Sequence, residues 1–146
     1  MKIVDLLKVG SIDLNAQPKD KAAALEHLIT LMESSGNLLD KDEYRACVLR
    51  REEEGSTGIG EGIAIPHAKT NAVKAPGLAA MLVKDGVDFD SLDGEPAKLF
   101  FLIAAPDTKD NVHLDVLSHL SMLLMNDDFR RELLNAGSAK DFLTVI

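Results

Sequence analysis

One run of residues in the second half of the chain is apolar without alternation. Residues 98–105 read Lys-Leu-Phe-Phe-Leu-Ile-Ala-Ala, and the run stops at Pro106. A strand with one solvated face would alternate between apolar and polar residues, whereas a central strand covered by helices is apolar on both faces. The run therefore predicts an α/β domain built as three layers, α/β/α.

Helix-like and strand-like patterns are mingled along the rest of the chain. Helices are expected where apolar residues recur at helical spacing between capping residues. Turn residues between 84 and 96 favour some antiparallel pairing, so we expect a mixed parallel and antiparallel sheet of about four to five strands. The predicted helices cover residues 18–35, 40–54, 110–124, 127–136 and 138–146, and the predicted strands cover 11–15, 63–65, 78–83, an edge segment at 87–89, and 98–105.

A glycine-rich segment, residues 55–68, contains a short apolar run that ends in a Pro-His pair. Its glycines can adopt positive φ, so backbone N–H groups around Gly58 and the hydroxyls of Ser56 and Thr57 could form an anion-binding nest. The proline would hold His67 at the end of the strand, where open α/β sheets bind ligands. The alternative, that the glycines only build a tight turn before a strand, stays open.

The glycines do not match the common nucleotide-binding motifs. Ile63 stands where the dinucleotide motif needs its third glycine. Glu61-Gly62 stands where the Walker motif needs Lys followed by Ser or Thr. ATP and NAD are therefore poor candidates as ligands.

Arg51 lies on the apolar face of the predicted helix 40–54, together with Cys47. Its planar guanidinium could hold two phosphoryl oxygens, which makes Arg51 a candidate anion clamp. It could equally be a cation placed near a helix C-terminus, where the helix dipole favours positive charge. Arg50 is turned about 100° away, and Cys47 is interpreted as a small core residue.

His113 begins a core-facing row on the helix 110–124, close to the loop that follows the central strand. It is either a second polar group of the site or a boundary histidine. His119 lies about 240° further round the helix, so the two histidines cannot share a metal ion. His27 is interpreted as a surface or boundary residue, and no metal site is expected.

Length, charge and composition exclude several classes of protein. A chain of 146 residues with 46% hydrophobic content fits one domain over residues 1–146. The single cysteine excludes an internal disulfide and a cysteine-based zinc site. A net charge of -8 argues against nucleic acid or an anionic membrane as the main partner. The chain has no apolar run of transmembrane length and no secretory pattern at its start, so a soluble, cytoplasmic protein is expected.

The candidate residues suit phosphoryl transfer better than hydrolysis. A neutral imidazole has one nitrogen free to attack, and the ordinary pKa of imidazole, about 6.5, leaves much of this group neutral in the cytoplasm. In the transfer of a phosphoryl group, the protein mainly positions the reacting groups and stabilises their charge. Arg51, His113 and the glycine-rich segment could do both. The Gly-Ser-Thr-Gly sequence at 55–58 does not fit the nucleophile elbow of hydrolases.

The segment from Arg51 to His67, which ends Gly-Ile-Gly-Glu-Gly-Ile-Ala-Ile-Pro-His, resembles a known active-site signature. It is similar to that of the type-2 enzyme IIA (EIIA) domains of the bacterial phosphoenolpyruvate sugar phosphotransferase system (PTS), the fructose/mannitol family. The family fold is α/β with a mixed sheet between helices. The resemblance extends over nearly the whole chain, through residues 92–94, 101–106, 113–114, 123–124 and 129–130.

The resemblance implies roles for particular residues and partners. It implies that Nε2 of His67 accepts a phosphoryl group from the phosphohistidine of the carrier protein HPr and passes it to a cysteine of enzyme IIB (EIIB). It also implies that Arg51 and His113 support the phosphoryl group, that no cofactor takes part, and that the membrane is reached only through EIIB and IIC. Residues 91–94 and 104–106 look most like fructose-type domains, so fructose is the expected sugar.

Two organisational questions stay open at this stage. Fructose-type domains are often fused to IIB and IIC, and this chain carries neither, so a free subunit and an excised domain are both compatible with it. A rival function is a regulatory module similar to the nitrogen-related members, in which phosphorylation of His67 switches contacts with other proteins. An anion-transporter domain of similar fold is disfavoured, because it has no need of the Pro-His pair.

Overall fold

A computed structural model describes residues 2–146, which contain six helices and six strands. Among these residues, none of the helices combines the length and the apolar character needed to span a bilayer. The elements, in chain order, are α1 (Ile3–Leu6), β1 (Leu7–Asp13), α2 (Lys21–Glu33), α3 (Lys41–Glu54), β2 (Gly58–Gly60), β3 (Ile63–Ala64), β4 (His67–Lys69), β5 (Gly77–Val87), β6 (Ala97–Ala105), α4 (Val112–Leu124), α5 (Asp127–Leu134) and α6 (Ala139–Val145).

The predicted central strand is β6, and it lies inside a mixed sheet. The strand order is β1-β5-β6-β3-β2, and β4 pairs with β6 as well. β5 runs antiparallel to β6, while β3 and β4 run parallel to it. The mixed sheet is confirmed; it has six strands rather than four to five because the glycine-rich region forms three short strands, β2, β3 and β4.

Side chains of β6 alternate between two cores. Phe100 and Leu102 belong to the core beneath α2 and α3, and Phe101 and Ile103 to the core beneath α1, α4, α5 and α6. All four are at most 2% exposed. Full burial of each such side chain contributes about 1.5 to 3 kcal/mol, so both helical layers are held to the sheet. The three-layer α/β/α architecture is confirmed.

Side-chain caps begin α2, α3 and α6. The carboxylate of Asp20 accepts from the N–H of Ala23 at the start of α2. The carboxylate of Asp40 accepts from the N–H of Glu43 at the start of α3, as the sequence predicts. The hydroxyl of Ser138 accepts from the N–H of Asp141 in the same way at the start of α6. Each cap satisfies a backbone donor that the first turn of a helix leaves free.

The predicted turn at residues 84–86, followed by an edge segment at 87–89, is wrong. β5 continues through these residues to Val87, with Gly86 at a φ of 77° and a shift of register against β6 between Leu82 and Val87. The glycine therefore lies at an irregularity within a long strand, and such irregularities contain the same residue types as turns. Phe89 is fully buried and packs edge-on against Phe100, with ring centroids 5.3 Å apart.

Candidate functional site

His67, Arg51 and His113 line one open cleft of about 480 Å³, although they are far apart in the sequence. The C-terminal half of α3 forms one wall, the first turn of α4 forms another, and β4 supplies the floor. The residues lining the cleft are Cys47, Arg50, Arg51, Glu54, His67, Ala68, Lys69 and His113.

His67 begins a strand rather than ending one, which corrects the sequence prediction. Pro66 separates β3 from β4, and the carbonyl oxygen of Pro66 accepts a 3.0 Å hydrogen bond from the N–H of Ile103 in β6. His67 pairs with the same Ile103 in the parallel ladder of β4 and β6. The proline thus divides the predicted strand in two, and the backbone of His67 is fixed to the centre of the sheet.

The tautomer of the neutral His67 ring follows from its hydrogen bond. Nδ1 lies 2.9 Å from the carbonyl oxygen of Ile65. A carbonyl oxygen can only accept, so Nδ1 carries the proton and donates it. Nε2 then holds the lone pair of the neutral ring. The half-buried side chain therefore has a nucleophilic nitrogen whose orientation is set by its own backbone.

His113 is half-buried in the first turn of α4, and its Nδ1 is buried without a hydrogen-bond partner among the described residues. Burial is the largest cause that lowers the pKa of His113, followed by the positive charges of Lys69 and His67, while Asp115 acts in the opposite direction. The lowered pKa keeps the imidazole neutral near pH 7. A neutral ring in this place can donate one hydrogen bond to an anion without adding a full positive charge to the cleft.

The two neighbouring arginines of α3 both line the cleft, although Arg50 is exposed and starts about 100° away from the face that carries Arg51. Arg51 is half-buried, and its Nη1 donates a 2.9 Å hydrogen bond to the carbonyl oxygen of Gly55 at the end of α3. Nη2 of Arg50 lies 3.2 Å from the sulfur of Cys47. Long side chains extend well beyond the face from which they start, which explains how Arg50 reaches the cleft from the exposed face of α3. Cys47 packs against the core and also forms part of the cleft wall.

Ser56, Thr57 and Gly58 do not line this cleft, and the predicted nest is replaced by a hairpin of β2 and β3. The hydroxyl of Ser56 donates to the carbonyl oxygen of Phe89 at 2.8 Å and accepts from the N–H of Gly58. A Cβ on Gly58 would lie 3.0 Å from the Cα of Ser91. These contacts serve the packing of the loop, and they do not favour a phosphoryl-binding role.

A buried carboxylate that the sequence did not single out occupies the other side of this loop. The hydroxyl and the N–H of Thr57 both bond to the carboxylate of Glu52, and Nζ of Lys21 lies 3.0 Å from the same group. Glu52 is 8% exposed and follows Tyr44 and Val48 at spacings of four on the buried face of α3. That spacing was the available signal, although a charged residue is seldom placed in a core.

Lys69 is the second residue that the sequence reasoning missed. It is two positions beyond His67 on β4, and alternation along a strand puts both side chains on the same face. Arg50, Arg51 and Lys69 give the cleft three cations against the single carboxylate of Glu54. The cleft is therefore positive within a chain of net charge -8. Among residues 2–146, no group of three or more His, Cys, Asp or Glu side chains is placed to hold a metal ion.

His27, on α2, is half-buried, and its Nε2 lies 2.7 Å from a carboxylate oxygen of Asp13. It is absent from the lining of the cleft, consistent with its interpretation as a boundary residue.

Comparison with known proteins identifies relatives along the whole chain. The family model "Phosphoenolpyruvate-dependent sugar phosphotransferase system, EIIA 2" matches residues 5–146. The chain is 47% identical over 146 residues to the PTS system fructose-specific EIIABC component of Bacillus subtilis, of which it spans 23%. It is 42% identical over 135 residues to the PTS system fructose-specific EIIA component of Haloferax volcanii. The aligned region covers 92% of this chain and 88% of the Haloferax protein.

Solved structures of similar fold include a nitrogen regulatory protein and a mannitol enzyme IIA. The nitrogen regulatory protein IIA-Ntr of Neisseria meningitidis superposes with a TM-score of 0.89 at 32% identity, covering 98% of this chain and 97% of the other. The mannitol enzyme IIA of Escherichia coli, solved in complex with phosphorylated mannitol enzyme IIB, gives a TM-score of 0.81 at 25% identity, with 96% and 97% covered. The chain belongs to the EIIA 2 family of the phosphoenolpyruvate-dependent sugar phosphotransferase system.

Proposed function

We propose that this chain acts as a single EIIA domain that carries a phosphoryl group on Nε2 of His67, between HPr and a cysteine of EIIB. The observation that carries the proposal is the 2.9 Å hydrogen bond from Nδ1 of His67 to the carbonyl oxygen of Ile65. It leaves the lone pair on Nε2, in a cleft whose lining has more cations than carboxylates. Membership of a phosphotransfer family supports the same chemistry.

The transfer conserves atoms and charge in both steps. The Nε2 lone pair forms a bond to phosphorus while the P–N bond of the donor phosphohistidine breaks and its electron pair returns to the donor ring. The acceptor ring becomes an imidazolium whose Nδ1–H still donates to Ile65, so the carbonyl dipole stabilises the new positive charge. In the second step a cysteine thiolate of EIIB attacks the same phosphorus, and Nε2 of His67 recovers its lone pair.

Arg51 and His113 are proposed to stabilise the phosphoryl oxygens during both steps. The bond from Arg51 to Gly55 uses one N–H group of the guanidinium, and the planar fork has further donors for an anion. His113 is kept neutral by its lowered pKa, so it can contact the phosphoryl group without trapping it as a full ion pair. Modest binding suits a carrier, because a group that is held too tightly cannot be passed on.

The proposed partners rest on the comparisons and on the family resemblance. The name of the Bacillus protein combines components A, B and C, and the mannitol enzyme IIA was solved with phosphorylated enzyme IIB. EIIB is therefore the proposed acceptor of the phosphoryl group. HPr is proposed as its donor because the family resemblance implies it. The fructose-specific names of the two sequence relatives support fructose as the sugar.

Phosphorylation of the purified protein tests the proposal. The protein is incubated with enzyme I, HPr and phosphoenolpyruvate, and intact mass is measured before and after brief acid treatment. We expect one acid-labile phosphoryl group on the wild type and none on His67→Gln. His27→Gln and His119→Gln are matched controls, since neither residue lines the cleft. Unchanged labelling of His67→Gln would refute the assignment.

A regulatory function is the second candidate, favoured by the TM-score of 0.89 with a nitrogen regulatory protein. The same His67 would be phosphorylated, but its phosphorylation would change contacts with a regulatory partner. Incubating the phosphorylated protein with a fructose-type EIIB separates the two functions. Rapid transfer to the EIIB cysteine supports sugar transport, and a stable phosphorylated protein in its presence supports regulation.

A further inference from the structure

Lys69 is held in the cleft by a backbone that has little freedom. It pairs with Ala105 at the end of the β4 and β6 ladder, and the next N–H, that of Thr70, donates to the carbonyl oxygen of Ala105 at 3.0 Å. Ala68, between His67 and Lys69, is 6% exposed and faces the core. Strand alternation therefore sends His67 and Lys69 out on the opposite face, and both line the cleft.

The ammonium group of Lys69 has no protein partner within the described part of the chain. No carboxylate lies within 4.0 Å of it and no hydrogen bond from it is formed, although the residue is half-buried. Lys21 and Lys41, by contrast, are both paired with glutamates, at 3.0 Å and 3.2 Å. Lys69 thus has no counter-charge on the described residues of a chain of net charge -8, and its place beside His67 in the cleft points to an anion from outside the chain.

The cleft offers positive charge to an arriving phosphoryl group, before any bond to His67 forms. Arg50, Arg51 and Lys69 against Glu54 leave two net positive charges when both histidines are neutral. A phosphoryl group brings about -1.5 to -2 charges near pH 7. Two arginines alone would leave about one positive charge after Glu54 is counted, so without Lys69 the cleft offers the arriving group less charge than the group brings.

We propose that Lys69 is a phosphoryl-binding residue: its ammonium contacts the phosphoryl oxygens on His67 from the strand side of the cleft, opposite the arginines of α3. This inference rests on the proposed function of His67 and adds a residue to that site. A flexible ammonium is a point charge that can follow the phosphoryl group as it moves between donor and acceptor. The planar guanidinium groups of the arginines on α3 orient the phosphoryl oxygens, and the ammonium of Lys69 provides a positive charge that can move with them.

Lys69→Met, Lys69→Arg and the control Lys84→Met test the inference in the full chain. Lys84 is exposed on β5 and outside the cleft. In transfer from phosphorylated HPr, we expect Lys69→Met to lower the rate constant about tenfold or more, because one charged contact to the moving group is lost. Lys69→Arg should recover most of the rate, and Lys84→Met should match the wild type.

Binding of inorganic phosphate separates this inference from the proposed function. The titration follows the histidine ring signals by NMR in each variant. Lys69→Met should bind phosphate about tenfold more weakly than the wild type, and its His113 should titrate at a higher pKa because Lys69 no longer opposes protonation. His67, Asp115, Arg50, Arg51 and Glu54 also lie at or near this ring and are unchanged by the substitution.

The outcomes are distinct. Phosphate affinity of Lys69→Met within about twofold of the wild type overturns the role of Lys69, whatever the labelling shows. If the wild type accepts no phosphoryl group from HPr but Lys69→Met still binds phosphate weakly, the proposed function fails and the anion contact of Lys69 stands. Lys69→Gln replaces Lys69→Met if circular dichroism shows that the latter does not fold.

Discussion

The hydroxyl of Tyr44 on α3 donates a 2.9 Å hydrogen bond to the carbonyl oxygen of Ile103 in β6, across 59 positions of sequence. Ile103 is also the ladder partner of His67. One buried side chain thus connects the helix that carries Arg51 to the strand position that holds His67, the proposed phosphoryl acceptor. Burial raises the pKa of Tyr44 well above 10, so the phenol keeps its proton and remains a donor at any physiological pH.

Tyr44→Phe should lower the free energy of unfolding by about 1 kcal/mol, because it removes this bond while keeping the buried ring. Urea unfolding of both proteins measures the difference. The rate of phosphoryl transfer should fall as well, since α3 loses its polar attachment beside His67. An unchanged midpoint would show that the bond contributes nothing.

The hydrogen bond between His67 and Ile65 predicts the tautomer of the neutral ring. Nitrogen-15 NMR of the neutral ring should show the proton on Nδ1 and the lone pair on Nε2, because the partner is a carbonyl oxygen. The exposed His119 is an internal reference in the same spectra. A proton found on Nε2 of His67 would contradict the proposed nucleophile.

Arg51→Lys should slow phosphoryl transfer about tenfold while leaving the fold intact, because a point charge cannot reproduce a two-pronged contact. Single-turnover transfer from phosphorylated HPr measures the effect. Arg131→Lys is the matched control, since Arg131 is exposed on α5 and lies outside the cleft. Transfer at the wild-type rate in Arg51→Lys would remove the case for a clamp.

Glu52→Gln should lower the free energy of unfolding by about 2 kcal/mol. The substitution removes the counter-charge of Lys21, whose side chain is 22% exposed, so the cost is below that of breaking a fully buried pair. The neighbouring exposed Glu53→Gln should stay within about 0.5 kcal/mol of the wild type. Equal losses in both variants would show that the Lys21, Glu52 and Thr57 contacts are not stabilising.

His113 should make stability depend on pH. Its pKa in the folded protein is lowered from 6.5, chiefly by burial. The unfolded chain therefore binds protons more readily, and the contribution is present above pH 6.5 and is lost as the pH falls through the lowered pKa. Unfolding free energies measured over this range should decline more in the wild type than in His113→Gln. A steeper decline in the variant would contradict the direction of the shift.

Much of the fold could be predicted because its signals are local. The caps at Asp40 and Ser138 lie within three residues of the donors that they satisfy. The run of β6 is apolar on both faces, and that pattern alone predicts a buried strand. The turn predicted at residues 84–86 failed because a local signal was ambiguous: a glycine with positive φ suits both a turn and an irregular strand. The pairing of β5 with β6 resolved that ambiguity.

The site could be predicted only in part. His67, Arg51 and His113 stand out by residue type and position, and the fold brings them to one cleft. The sequence predicts an anion nest at Ser56 and Thr57 because their hydroxyls lie among glycines that can adopt positive φ. Their actual partners, Phe89 and Glu52, depend on how the loop lies against the sheet and α3.

The sequence by itself determined the three layers, the central strand, the starts of α3 to α6 and the choice of His67 as the candidate imidazole. Each of these depends on periodicity or on neighbours within a few residues. Only the tertiary structure decided which nitrogen of His67 is free and that Lys69 and Arg50 join the cleft. It also decided that Glu52 is buried beneath the glycine loop. These properties are set by contacts between distant segments, whose geometry exists only when the sheet and its two helical layers are assembled.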